Sequence, residues 1–243
     1  MKIMAAILFF LSSALVLASN QKGDKLMQAQ LGTSIQITAA PGKEEELAKF
    51  LKGGASVVEQ TEPGTLQWFA VDEGNGQFRI IDFFGSEKGR KEHFDGKVAA
   101  ALAENARVLV KGAWEQGVVS NIKNSRVLAS FVRNKPAQEA KLSTFIKLKA
   151  KPGKEEELAA FLKAGADIVK QSEPQTYLWY ALRIDKSNFA IYDVFPDQAA
   201  RNAHFSGKVA HALKEKARDL VEGSWEKGVL ANVIHAKIIS DTF

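Results

Sequence analysis

The sequence predicts an α+β protein in which two tandem βαββαβ repeats close into one barrel within a single chain. Three observations support this prediction. The chain aligns with itself without a gap at an offset of 111 positions, the strand and helix patterns follow the same order in both copies, and one strand is apolar on both faces. Because a period of this length is the size of a small domain, we interpret the chain as a tandem duplication.

The two copies share several short identical segments. PGKEEELA occupies residues 41–48 and again 152–159. The other matches are Glu62-Pro63 with Glu173-Pro174, Trp68 with Trp179, His93-Phe94 with His204-Phe205, and Trp114 with Trp225. A polar joint at residues 133–142 separates the copies, so the predicted domains are residues 34–132 and 143–243.

The first copy begins with a strand and a helix. Residues 34–39 alternate between apolar and polar, which is typical of a short strand. Residues 43–60 carry three glutamates in the first turn, where the helix dipole favours negative charge. Their apolar residues recur at helical spacing, which predicts a helix with one buried face.

A hairpin, a helical region and a last strand complete the copy. Asn75-Gly76 is a two-residue hairpin signal between strands at 65–72 and 77–84. A helical region follows over about 87–110, with a break expected at Gly96, and residues 118–131 supply the last strand. This order is the ferredoxin-like arrangement, an antiparallel sheet with both helices on one face.

The faces of one strand predict how the copies pack. In residues 189–195, Phe189, Ile191 and Phe195 lie on one face, while the other face is also apolar. Helices can cover only one face of a sheet, so the second face must pack against the sheet of the other copy. The alternative, two independent domains on a linker, leaves two apolar sheet faces in water.

The N-terminal residues resemble an export signal. Residues 1–19 combine Lys2, an apolar run and small residues near position 19, which predicts a cleaved signal peptide. The alternative is a membrane anchor, but a span needs about 20 apolar residues, and Ser12-Ser13 interrupts this run. Residues 20–33 are predicted to be a flexible lead-in, and the protein is predicted to be secreted or periplasmic.

Composition excludes several classes of protein. A net charge of +5 without a dense Lys/Arg block argues against nucleic acid as the main partner. The absence of cysteine excludes disulfides, thiolate metal sites and a cysteine nucleophile. The sequence contains no phosphate loop, dinucleotide fingerprint, HExxH motif or serine elbow, and four histidines without cysteine predict no metal centre.

Two histidines occupy equivalent positions in the copies. His93 and His204 are each followed four residues later by a lysine, Lys97 or Lys208. In a continuous helix the histidine and lysine would share a face and place a titratable base beside a cation. The alternative is a capping or surface histidine.

Two aspartates interrupt an otherwise apolar strand face. Asp82 and Asp193 alternate with phenylalanine and isoleucine, and a buried carboxylate there is costly unless it is paired. Burial raises the pKa of such a carboxyl and makes it a candidate general base, although a hydrogen-bonded structural role is equally open. Counting back from the turn pairs Phe69 with Asp82 and, by the repeat, Tyr180 with Asp193.

Aromatic residues supply further candidates. All three tyrosines, Tyr177, Tyr180 and Tyr192, lie in the second copy and are predicted either to orient a polar ligand or to be variants of core packing. Trp68 and Trp179 lie mid-strand, where tryptophan packs in a core or lines a pocket for a flat ligand.

These motifs together resemble a known family. The PGKEEELA helix start, the EP(G/Q)T turn, the W-(F/Y)-A and F-x-I-x-D-x-F strands and the R-x-x-HF-x-GK helix are similar to the antibiotic biosynthesis monooxygenase (ABM) domain of the dimeric α/β barrel superfamily. The resemblance implies an intrachain dimeric α/β barrel. It also implies a cofactor-independent monooxygenase that acts on a quinol or polycyclic phenol with molecular oxygen, in a pocket between sheet and helices.

Carried onto this chain, the resemblance gives each candidate residue a role. It implies His204 or Asp193 as the base, Tyr180 and Lys208 stabilising an oxyanion, and Trp179 as a platform for the ring. Tyr177 and Tyr192 join the substrate-binding set, and the first copy offers His93, Asp82, Trp68 and Lys97 in the same roles. The alternatives are a binding barrel without turnover, or a haem-binding or haem-degrading protein, although residues 35–38 lack the asparagine of haem-degrading relatives.

Overall fold

The computed structural model describes residues 29–133 and 138–243. The predicted signal peptide, most of the predicted lead-in and residues 134–137 of the joint lie outside these ranges. None of the helices within the described ranges is both long and apolar enough to cross a bilayer.

The first repeat has the predicted βαββαβ order, with short helices added before the last strand. Its elements are β1 (Leu31–Thr38), α1 (Glu44–Lys52), α2 (Gly54–Thr61), β2 (Thr65–Gly74), β3 (Gln77–Phe84), α3 (Glu87–Phe94), α4 (Lys97–Leu109), α5 (Ala113–Gly117), a 3₁₀ turn (Val119–Asn121) and β4 (Ile122–Val132). The break expected at Gly96 is confirmed, since this glycine separates α3 from α4.

The second repeat follows the same order. Its elements are β5 (Leu142–Lys149), α6 (Glu155–Ser172), β6 (Leu178–Arg183), β7 (Asn188–Phe195), α7 (Gln198–Phe205), α8 (Lys208–Leu220), a π-helical turn (Ser224–Val229), a 3₁₀ turn (Leu230–Asn232) and β8 (Val233–Asp241). Here the first helix is continuous, whereas in the first repeat it is interrupted at Gly53.

All eight strands form one closed antiparallel barrel in the order β1-β3-β2-β8-β5-β7-β6-β4. The last strand of each repeat joins the two halves: β4 pairs with β1 and β6, while β8 pairs with β5 and β2. The predicted α+β fold with an intrachain barrel is therefore confirmed. Two independent domains are excluded, because each half completes the sheet of the other.

The barrel has an aromatic interior. Phe69, Phe83, Tyr180 and Tyr192 are fully buried there, and the rings of Phe83 and Tyr180 stack with centroids 3.7 Å apart. On the outer faces of the sheets, two separate cores pack beneath the helices of the first and the second repeat. Each sheet is thus buried on both faces, as the strand pattern predicts.

Two predicted boundaries differ from the structure. The lead-in was predicted to reach residue 33, but β1 begins at Leu31, because Leu31 and Thr33 are buried and pair in register with Phe84 and Asp82. The joint was predicted to reach residue 142, but Leu142 is already the first residue of β5.

The predicted hairpin register is wrong by one residue. Asn75 and Gly76 do form a two-residue turn, with φ of 54° and 71°. A bulge between Asp72 and Gly74 shifts the register, so Asp82 pairs with Trp68 rather than with Phe69. In the second repeat, Asp193 likewise pairs with Trp179, and Tyr180 pairs with Tyr192.

Candidate functional site

The candidate site of the first repeat is built around His93 in the last turn of α3. The side chain is 4% exposed, and its Nδ1 lies 2.6 Å from Oε2 of Glu62. Glu62 follows α2 directly, and its Oε1 accepts a hydrogen bond from the backbone N–H of Val98 in the first turn of α4. A helix N-terminus favours a negative charge, so this position suits a carboxylate.

The approach of Glu62 to α4 depends on a glycine. A Cβ atom at Gly96 would lie 2.5 Å from Oε1 of Glu62. The residue that separates α3 from α4 therefore also leaves the space in which the carboxylate reaches both the helix and His93.

Glu62 determines which nitrogen of His93 is free for chemistry. When the Nδ1 proton is donated to the carboxylate, the lone pair of the neutral ring is on Nε2. A carboxylate that fixes the histidine tautomer in this way also stabilises the imidazolium formed when Nε2 takes up a proton. The pair is therefore arranged as an oriented general base.

Asp82 lies on the other side of the His93 ring. Its Oδ2 is 3.6 Å from Nε2 of His93, its side chain is completely buried, and neither carboxyl oxygen is hydrogen-bonded to a described residue. Burial raises the pKa of Asp82 to about 7; the charge of His93 opposes this rise and the charge of Glu62 adds to it. Both Asp82 and Trp68 face the helices from paired positions on β3 and β2.

The protonation of His93 is coupled to that of Asp82. Burial alone lowers the pKa of His93, but the charge of Asp82 and the hydrogen bond and charge of Glu62 outweigh burial and raise it above the usual value. The charge of each group therefore affects the protonation of the other, and the histidine and the aspartate titrate as a pair.

The second repeat contains the same cluster. His204 bonds through Nδ1 to Oε2 of Glu173, and its Nε2 is 3.6 Å from Oδ2 of Asp193. Burial raises the pKa of Asp193 to about 7, and the charges of Asp193 and Glu173 raise that of His204 against the effect of burial. The equal distances show that the duplication preserved this arrangement as a unit.

The first repeat also contains an apolar cavity of about 230 Å³, between its sheet and helices α1 to α5. Trp68, Ile80 and His93 line its buried side. Gly53 and Val57 line it where the wall reaches the surface. His93 therefore forms part of the wall of an apolar pocket that opens to the surface.

On the outside, both histidines border a surface groove. His93 and Glu62 line a groove of about 470 Å³ that also includes Lys97, and His204 and Glu173 line a groove of about 330 Å³. His93 therefore lies between the apolar cavity and a polar surface groove.

The predicted sharing of a helix face by histidine and lysine is not realised. Lys97 and Lys208 are the first residues of α4 and α8, after the break, and both are exposed. The break changes the direction of the chain between each histidine and its lysine. The partner that the structure supplies for each histidine is the glutamate.

The tyrosines lie on a different side of the sheet from the histidines. Tyr180 and Tyr192 are buried in the barrel interior, and the hydroxyl of Tyr180 donates to Oε1 of Gln67 at 2.9 Å. Tyr177 belongs to the same interior cluster. Because successive strand residues face opposite sides, the sheet separates Tyr180 from Asp193 and His204. The prediction that groups these three residues in one site is therefore corrected.

Trp68 and Trp179 lie on the side of the sheet that faces the helices. Trp68 lines the cavity, and Trp179 packs in the second helical core.

Glu62 and Glu173 are the site residues that the sequence prediction missed. The signal was present, since Glu-Pro recurs at the same position in both copies, but it was interpreted as a turn.

Metal binding finds no support in this arrangement. Among residues 29–133 and 138–243, no group of three or more His, Asp or Glu side chains is placed to hold a metal ion.

Solved structures with the same fold place the chain in a structural class. It is similar to a candidate monooxygenase from Fusobacterium nucleatum subsp. nucleatum, with a TM-score of 0.70 and 14% identity over 86% of this chain and 91% of that one. A candidate monooxygenase from Lactobacillus acidophilus gives 0.68 and 14% identity over 88% and 95%. An anthrone oxidase-like protein gives 0.52 and 12% identity over 88% and 92%.

No protein-family model matches the sequence, and no curated protein is significantly similar to it. The structural likenesses confirm the predicted resemblance to ABM-like barrels at the level of the fold. At identities of 12–14% they concern the fold alone, so the reaction has to be argued from the site.

Proposed function

We propose that the protein is a cofactor-independent monooxygenase that oxidises a small phenol or quinol with molecular oxygen in the cavity of the first repeat. The observation that carries the proposal is the position of His93, which is oriented by Glu62 and lines an apolar cavity. This combination supplies a base beside an apolar pocket, and the reaction requires a base and a site that a bound ligand can shield from water.

The chemistry assigned to this chain is proton transfer and shielding. Nε2 of His93 removes the proton from the substrate, and Glu62 stabilises the imidazolium. The substrate anion is electron-rich and supplies all four electrons to O₂ when a ring C–H of the phenol becomes the second C=O of a quinone. One oxygen atom enters the product, and the other leaves as water with the hydroxyl proton and the ring hydrogen. The apolar wall protects the anion from reprotonation by solvent.

The cavity limits the size of the substrate. An apolar cavity of about 150 Å³ is known to accept benzene, so a cavity of about 230 Å³ suits one ring or two fused rings. Trp68 provides a flat wall for stacking. Burial raises the pKa of Asp82 to about 7, and its Oδ2 lies 3.6 Å from Nε2 of His93, so Asp82 exchanges its proton with the histidine rather than with the ligand.

Measurement of oxygen uptake tests the proposal. Incubating the protein with a panel of naphthols, hydroquinones and naphthoquinols should give uptake in the wild type and a loss of at least 100-fold in His93→Gln. Calorimetric binding of the same compounds without uptake in the wild type would instead support a binding barrel that does not turn over its ligand. His204→Gln applies the same test to the second repeat.

We also propose that the protein acts outside the cytoplasm, because residues 1–19 have the charge, apolar run and small residues of an export signal. N-terminal sequencing of the protein isolated from the periplasm or medium should show cleavage near residue 19. Recovery of uncleaved protein in the cytoplasm would contradict this.

A further inference from the structure

The two repeats differ at positions that surround the cavity of the first repeat. Gly53 and Val57 line this cavity, and the corresponding residues of the second repeat are Ala164 and Ile168. Each side chain of the second repeat is larger by one methyl group. Gly53 is exposed and Val57 half-buried, so both lie where the cavity wall meets the surface.

The path of the first helix differs at the same place. In the first repeat the helix is interrupted at Gly53, whose N–H donates to the carbonyl of Phe50 at 3.1 Å, an i to i−3 bond. In the second repeat the helix is continuous through Ala164. A glycine pair, Gly53-Gly54, is a known cause of such an interruption, and the second repeat has alanine at the first of these positions.

The exchanged strands add a third difference. Phe131 of β4 packs on the helical core of the second repeat and pairs with Trp179. The corresponding residue beside the first repeat is Thr242, whose Oγ1 accepts from the backbone N–H of Trp68. A phenyl ring therefore occupies volume beside the second core where the first has a small polar side chain.

We propose that the chain has a single ligand site, in the first repeat, and that Gly53 and Val57 set the size of the ligand that enters it. In the second repeat, Ala164, Ile168 and Phe131 fill the matching space, and the His204–Glu173 pair serves to hold α7 to the turn that follows α6. The proposal rests on the proposed function only for the ligand class, a flat aromatic hydroxyl compound of one or two rings.

The full chain can test this by calorimetric titration with 2-naphthol. Wild type should bind one molecule per chain, and Gly53→Ala/Val57→Ile should bind at least tenfold more weakly. The matched change in the second repeat, Ile168→Val, should leave the dissociation constant within twofold and the stoichiometry at one. A Cβ at Gly53 meets only the Phe50 carbonyl at 3.5 Å, so the variant should fold. The melting temperature of the double variant checks that it has folded. The single variant Val57→Ile, which leaves Gly53 unchanged, tests the second position alone.

Each of several results would overturn the proposal: two sites per chain, unchanged affinity in the folded Gly53→Ala/Val57→Ile variant, or no binding of 2-naphthol by wild type at millimolar concentration. The result also separates this proposal from the enzymatic one. Binding of one 2-naphthol without oxygen uptake by any panel compound would leave the site in place and remove the monooxygenase function. Oxygen uptake that depends on His204 rather than on His93 would support the monooxygenase function and overturn the single site in the first repeat.

Discussion

At the scale of single residues, the most unusual feature is a completely buried carboxyl without a hydrogen-bond partner among the described residues. Asp82 and Asp193 both have this environment, and burial raises the pKa of each to about 7. In the folded protein these carboxyls hold their protons to higher pH than the ordinary value of 3.8. Burying the charged form is costly, and the neighbouring histidine offsets only part of that cost.

A pH dependence of stability follows from the raised pKa of Asp82. From about pH 4 to about one unit above pH 7 the folded state binds more protons than the unfolded state, so this residue's contribution to the free energy of unfolding falls as pH rises through this range and is constant above it. The raised pKa of His93 acts in the same direction at the upper end of this range. Asp82→Asn removes the aspartate titration and should therefore gain stability relative to wild type by about 2 to 4 kcal/mol between pH 4 and pH 8.

Urea denaturation at several pH values measures this difference. Asp193→Asn is the matched variant and should show the same trend, since its histidine lies at the same distance. The comparison must be between variant and wild type, because other carboxyls, such as Glu156 beside Arg183, have lowered pKa values and contribute with the opposite sign. A constant difference across the pH range would show that Asp82 titrates normally.

Glu62 is a positioning residue, because it contacts His93 and not the cavity. Glu62→Gln places an amide beside Nδ1, and if the amide N–H donates to that nitrogen, the histidine proton moves to Nε2 and the base is lost. Loss of the correct tautomer in a carboxylate–histidine pair can reduce turnover by about 10⁴-fold, so we expect at least a 100-fold fall in oxygen uptake. The pH profile of uptake should also lose its dependence on the histidine.

Glu173→Gln controls for effects on folding. It makes the same change at the same type of histidine contact in the second repeat, so the melting temperatures of both variants show how much each change affects folding. The other oxygen differs, since Oε1 of Glu62 accepts from the N–H of Val98 and Oε1 of Glu173 has no partner among the described residues. Equal losses of uptake in the two variants would show that Glu62 acts only through the fold.

The sequence identified residues whose type is unusual among their neighbours in the chain. It did not show which side chains from different helices and strands come into contact. His93 and Asp82 were predicted as site residues because a histidine and a carboxyl interrupt apolar patterns. Glu62 was missed because Glu-Pro-Gly also has the composition of an ordinary turn. Tyr180 was assigned to the wrong side of the sheet because its pairing was taken over from the first repeat, where a one-residue bulge shifts the register that the turn predicts.

At the scale of elements, two adjacent glycines of the first helix have different roles. A Cβ at Gly54 would lie 2.5 Å from the indole of Trp68, whereas one at Gly53 would meet only a carbonyl at 3.5 Å. Gly165 has the same close contact with Trp179 as Gly54 has with Trp68. The duplicated glycine thus allows the tryptophan to pack flat beneath the helix in both repeats.

Opposite effects on stability are expected from alanine at the two positions. Gly54→Ala forces the Trp68 ring to move and should destabilise the protein by about 1 to 3 kcal/mol. Gly53→Ala removes a flexible residue from a helical conformation and should stabilise it by up to about 1 kcal/mol. Chemical denaturation of both variants provides the measurement, and a stabilising Gly54→Ala would show that the indole does not pack against the helix as described.

The order of elements could be predicted because each carries its own periodic signal. The helix break at Gly96 was visible as a glycine within a helical pattern, and Asn75-Gly76 marked the hairpin. The interruption at Gly53 could not be predicted from propensity alone, since glycine at a helical position often leaves a helix continuous, as Gly165 does. The cavity that accompanies it depends on packing between five helices and the sheet, which no local sequence pattern predicts.

At the scale of the whole molecule, the strand faces predicted the barrel, but they did not predict that the last strands exchange partners. Each last strand pairs with the first strand of its own repeat and with the hairpin of the other. This exchange is what allows the two duplicated cores to diverge. Phe131 of β4 packs on the helical core of the second repeat, so a change at this position alters the packing of the second repeat and not of the first.

The same exchange predicts how the halves behave when they are separated. Residues 29–133 expressed alone would expose the unpaired edges of β2 and β4 and the aromatic interior around Phe69 and Phe83. Open strand edges and a large apolar surface favour association, so we expect this half to form dimers or aggregates rather than a stable monomer. Co-expression with residues 138–243 should instead yield a soluble 1:1 complex in which β4 pairs with β6 and β8 with β2. Analytical ultracentrifugation distinguishes these species, with the intact chain as the reference for a closed barrel. A first half that sediments as a stable, folded monomer at micromolar concentration would mean that closure by the partner repeat is not required for folding.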